Sequence, residues 1–198
     1  MEFEQTVGRR SVIAVGVGGA AVSLLPFLAD KVAAKSSATP PQRPTTDDVA
    51  ILGALQQIEL AARDLYDKAA GLSGWSATET AVLSTVRESH EAFAQSLAGL
   101  LGVDAPNTVA TDIVKSLGGG FSSTAAGALK ASHALESALV STHLEALGAL
   151  EGVDGATLVA SIQMAEARHT TVFAELAGYT DDAHLLVDED AASLLGDA

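Results

Sequence analysis

Residues 155–178 read GATLVASIQMAEARHTTVFAELAG, and Val159, Ile162, Glu166, His169, Phe173 and Leu176 run through them at spacings of three and four. That spacing returns a side chain to the same face of an α-helix on each turn, so these residues share one stripe. The apolar members give the helix a face to bury against neighbours. Glu166 and His169 are ionisable, and a charge in a dry stripe is costly unless a cation, a proton or hydrogen bonds compensate it. The last long helix is therefore expected over 155–177, with Asp154 as its cap.

Three similar stripes precede it. Thr46–Ala70 places Ile51, Leu55, Ile58, Ala62, Leu65 and Ala69 on one side, with Thr46, Asp47 and Asp48 suited to the positive end of a helix. Gly71 and Gly74 stop it, and Ser76 followed by Glu79 is a capping-box signature for the next helix. That second helix aligns Val82, Val86, His90, Phe93, Leu97 and Leu100 and ends at Gly102. A third, over about 123–150, aligns Ala125, Leu129, Ser132, Glu136, Leu139, His143, Ala146 and Leu150, with Ser132 expected to bond back to the preceding turn. Short connections make hairpins of the first and last pairs. Between them lie Pro106, a short helix within 108–117, and Gly118, Gly119 and Gly120, a connection long enough to cross the bundle. The fold class is all-α, an antiparallel four-helix bundle of two helical hairpins joined by a longer crossover.

The halves look alike. HEAFAQSLAG at 90–99 and HTTVFAELAG at 169–178 keep His, Leu, Ala and Gly in register. Glu59 and Tyr66 stand as far apart as Glu136 and His143, which suggests an internal duplication.

Glu59, His90, Glu136, Glu166 and His169 thus fall among core positions of four different helices. In this the chain resembles the ferritin-like family, whose di-metal sites take one Glu from each of two helices and a Glu with a His three residues later from each of the others. The resemblance implies metal ligation by Glu59, His90, Glu136, Glu166 and His169, with iron, manganese or zinc as the ion. At the position three before His90 stands Arg87, which cannot ligate a metal. Two readings stay open: residual binding of one ion or an asymmetric pair, or a metal-free structural or interaction bundle in which Arg87 is the internal counter-charge. Tyr66 and His143 are expected to pack or to support ligands, and His133 and His184 to be solvated.

Hydrophobic residues make up 48% and aromatics only 4%, which favours helices rich in Ala and Leu over strands. A net charge of -14 repels phosphate backbones, so nucleic acid is excluded as a partner. The lack of cysteine removes disulfides and thiolate metal sites.

Arg9 and Arg10 precede an uncharged stretch, 11–29, followed by small residues to Ala38. The order resembles a twin-arginine export signal, so 1–35 is expected to be that signal or an uncleaved anchor, the only membrane contact foreseen. The protein is then exported, to be secreted or held in the cell envelope. Residues 36–45, rich in Pro, Ser and Thr, make a linker. The bundle occupies 46–178, and 179–198 is an acidic tail, disordered or docked through Leu185, Leu186 and Val187.

Overall fold

The computed structural model describes residues 39–185 and 191–196. All but Thr39 belong to the unit Pro40–Ala198. The expected signal or anchor over 1–35 lies outside the described residues, as do 36–38, Leu186 and Val187. The helices are α1 (Thr46–Ala70), α2 (Ala77–Leu101), α3 (Thr111–Leu117), α4 (Ala125–Ala149), α5 (Val153–Ala177) and α6 (Asp182–Leu185). Helices α1, α2, α4 and α5 have 25 residues each and form the bundle, with α1 packed mainly on α2 and α4 on α5. The short α3 lies in the crossover, as its sequence suggests, and no helix among the described residues is long and apolar enough to cross a membrane.

The helix starts show why the chain divides where it does. Thr45, rather than Thr46, caps α1, because its acid partner must stand three residues on: Thr45 Oγ1 accepts from Asp48 N at 3.2 Å and Asp48 Oδ2 from Thr45 N at 2.8 Å. Ser76 and Glu79 cap α2 reciprocally at 3.2 and 2.7 Å, as the sequence indicates. Thr124 caps α4 through Gly127 N at 3.0 Å.

Helix α5 begins differently. Asp154 lies in its first turn and does not cap it; Gly152 holds the cap position without a side-chain bond. The free N–H groups are taken instead by the linker, whose Pro41 and Gln42 carbonyls accept from Val153 N at 2.9 Å and Asp154 N at 3.0 Å. Asp48 completes this corner by accepting from Glu151 N at 2.8 Å and Gly152 N at 2.9 Å. One carboxylate on α1 therefore ties the first hairpin to the turn of the second, and the end of the linker is docked.

Two apolar clusters fill the bundle. One gathers Leu65, Tyr66, Leu83, Phe121, Leu139 and Phe173; the other Leu52, Leu55, Leu97, Val159 and Ile162. Glu59, His90, His143 and Glu166 fall between the two along their helices, and with Glu136 they make a polar layer inside the bundle.

The tail accounts for a residue misjudged from sequence. His133 is buried, 3% exposed, because His184 O lies 3.0 Å from its Nε2 and the Tyr179 and His184 rings lie against it. Further on, Leu194 and Leu195 pack on the core and Leu194 N donates to Thr142 Oγ1 at 2.8 Å. Trp75 packs at the first hairpin and donates to Ala69 O.

Candidate metal centre

Of the residues selected from sequence, Glu59, His90, Glu136 and Glu166 are 0% exposed, and the His169 side chain is 15% exposed. Each comes from a different helix or a different turn because the spacings of three and four keep it on the inward stripe.

His90 sits between two carboxylates. Its Nδ1 lies 2.7 Å from Glu59 Oε2 and its Nε2 3.0 Å from Glu136 Oε1. Ionised carboxylate oxygens only accept, so both ring nitrogens donate and the ring is an imidazolium. Burial acts against that charge, but Glu136 and Glu59 outweigh it and hold the His90 pKa well above the ordinary range. Glu136 is engaged through both oxygens: the Tyr66 hydroxyl and His90 meet Oε1, and His169 Nδ1 meets Oε2 at 3.2 Å. Burial would raise the pKa of Glu136, yet the charge of His90 and the hydrogen bonds of His169 and His90 bring it to about 2. Tyr66 is stacked on the His90 ring, and burial and the negative Glu136 keep its phenol protonated.

The other half of the layer is not satisfied. Among the described residues, Glu59 Oε1, both Glu166 oxygens and His143 Nε2 are buried without a hydrogen bond. His143 Nδ1 lies 2.9 Å from Leu139 O, one turn back on α4, and donates to it. Its Nε2 lies 3.3 Å from Glu59 Oε1, where the alignment of a hydrogen bond is lacking. Burial acts against a charge on the ring, but Glu166 and Glu59 outweigh it and raise the His143 pKa to about 10. Glu166 Oε2 is 2.8 Å from Nδ1, likewise without a bond. Burial and the neighbouring charge of Glu59 raise the Glu166 pKa to about 8, against the pull of His143. The Glu59 pKa falls to about 2 although burial works the other way, through His143 and His90.

These groups form two triads, His90 with Glu136 and His169, and Glu59 with His143 and Glu166, each with ligand-capable atoms within 4.8 Å of one another. His143 belongs to the centre, although its sequence position suggested packing or support. The signal was present: it stands two turns from Glu136 on the same face, in a helix whose buried line is unusually polar.

Arg87 does not enter the layer. Its Nε bonds Asp67 Oδ1 at 3.0 Å and its Nη2 lies 3.7 Å from Glu91. A residue three before an inward His sits on the flank of the stripe, and a long guanidinium there swings to the nearest surface carboxylate. The expected internal counter-charge of the metal-free reading is therefore not Arg87; His90 stands in that place. Ser132 is also fully buried, but no bond from it to the preceding turn is found among the described residues.

A family model described as a ferritin-like domain matches residues 47–179. The chain belongs to the ferritin-like domain family. No curated protein and no solved structure matches it. The ferritin-like match spans all four long helices and so both triads. Against the ferritin-like ligand pattern, this chain lacks the second-helix glutamate and adds His143 on the third long helix.

Proposed function

We propose that this exported ferritin-like bundle binds iron, manganese or zinc in its polar layer and serves in metal handling or stress protection. The observation that carries the reading is the set of orphaned atoms: Glu59 Oε1, His143 Nε2 and the Glu166 oxygens lie buried and unpartnered among the described residues, in groups that converge. Buried polar atoms are ordinarily paired, and carboxylates brought this close need a proton or a cation among them. Carboxylate and imidazole donors fit these ions. Glu59, His143 and Glu166 are available to hold the ion, with Glu136, His90 and His169 beside them. Bound iron or manganese would supply one-electron chemistry there, and zinc only the polarising power of its charge. The chain itself fixes the donors and keeps water out, for only His169 among these side chains has any exposure.

The reading of the destination rests on Arg9, Arg10 and the uncharged stretch after them. One observation favours a metal-free interaction bundle instead: His90 already neutralises part of the layer by donating to Glu59 and Glu136. Metal analysis separates the two. Protein prepared without a metal-binding tag, loaded in turn with iron, manganese and zinc and then desalted, is expected to retain at least one of them near a full equivalent. Traces far below one equivalent for all three would sink the metal reading.

A further inference from the structure

We infer that the polar layer takes one divalent ion, held by Glu59, His143 and Glu166, and that the His90, Glu136 and Tyr66 network closes the place a second ion would need. The inference rests on the metal reading and departs from the two-ion pattern of the family.

The asymmetry is in the partners. Among the described residues, every orphaned carboxylate or imidazole atom belongs to Glu59, His143 or Glu166. In the other triad both His90 nitrogens and both Glu136 oxygens are engaged, the latter by His90, Tyr66 and His169. An ion there would have to break those bonds, whereas an ion in the first triad completes atoms that have none.

Geometry agrees. Ligand atoms about 2.0–2.2 Å from a tetrahedral ion stand roughly 3.3–3.6 Å from each other. Glu59 Oε1 and His143 Nε2 are 3.3 Å apart without a hydrogen bond between them. His143 also has the support usual for a ligating histidine, since its other nitrogen donates to a backbone carbonyl, Leu139 O at 2.9 Å, which orients the ring. His90 does the same for Glu59, holding Oε2 at 2.7 Å and leaving Oε1 free.

Counting ions tests this. The full chain is freed of metal, given excess zinc, desalted, and analysed by atomic emission beside its His143→Ala and His169→Gln forms, with circular dichroism to confirm folding. One equivalent is expected in the wild type and in His169→Gln, and a loss of affinity of more than about 100-fold in His143→Ala, beyond the effect of removing a supporting residue. So that the test does not depend on the folding of His143→Ala, the wild type is also loaded with manganese and read by electron paramagnetic resonance. The hyperfine pattern of an isolated ion is expected. Two equivalents, an exchange-coupled pair signal, or binding lost in His169→Gln and kept in His143→Ala overturns the one-ion placement while leaving the metal reading intact. No ion of either kind overturns both.

Discussion

His90→Leu removes the charge between Glu59 and Glu136 while nearly conserving side-chain volume, so the cost is chiefly electrostatic. The leucine takes away donors at 2.7 Å from Glu59 Oε2 and 3.0 Å from Glu136 Oε1, and both carboxylates remain 0% exposed. Breaking a buried ion pair from one side costs about 3–5 kcal/mol, which lowers the Tm of a domain this size by roughly 6–20 °C. The pH dependence has a definite sign. In the wild type Glu59 and Glu136 are held at about 2, below the ordinary 4.5, so their contribution is complete above about 4.5 and is lost as the pH falls toward 2. In the variant the downward pull of His90 is gone and burial drives both values upward, so folding takes up protons and acid favours the folded state. His90, raised above its ordinary 6.5, gives its own contribution in full below that value and loses it as the pH rises, so the sign is read on the acid side. Urea unfolding followed by circular dichroism, in chelator, at about pH 6 and about pH 4 should show a gap to the wild type that is wider at the higher pH. A gap below about 1 kcal/mol at about pH 6, or one that does not narrow in acid, would refute the reasoning.

Asp48→Asn should lower stability by about 2–4 kcal/mol, since the carboxylate accepts from three backbone donors. Burial tends to raise its pKa, but the hydrogen bonds from Glu151, Thr45 and Gly152 prevail and lower it, so the deficit in thermal melts should be full at neutral pH and shrink below about pH 4. Gly152→Ala would put a Cβ 2.6 Å from Arg43 O and 2.9 Å from Asp48 Oδ2, and should cost about 1–3 kcal/mol, with faster proteolysis near Arg43. Tyr66→Phe deletes the donor to Glu136 and should lose about 1.5–3 kcal/mol in urea unfolding. Arg87→Ala breaks only its partly exposed pairs with Asp67 and Glu91; a change under about 1 kcal/mol, with zinc uptake unaltered, is the expected result.

The bundle was legible because its signals are local. Stripes at spacings of three and four, the Ser76 and Glu79 box, and the glycines at 71 and 102 each act within a few turns of chain, and they mark α1, α2, α4 and α5 closely. What sequence reading missed depends on partners distant in the chain. The start of α5 is finished by Pro41, Gln42 and Asp48, more than a hundred residues earlier, so Asp154 looked like the cap. His133 looked solvated because the residues that cover it, Tyr179 and His184, belong to a tail with little periodic pattern. In the site, Glu59, His90, Glu136 and Glu166 were visible as charges in apolar lines. Arg87 and His143 were misjudged for opposite reasons: a long side chain at the edge of a stripe can leave it, and a histidine outside the family spacing can still be drawn in.

Closure of the polar layer also governs timing. With Glu59, His143 and Glu166 at 0% exposure, anything lodged among them can come or go only when the long helices part, an event as rare as the opening of the bundle itself. Exchange with the surroundings would then be slow compared with the lifetime of ordinary surface-bound ions. The contents of the interior would keep a memory of the medium in which the chain folded, even after that medium had been left behind.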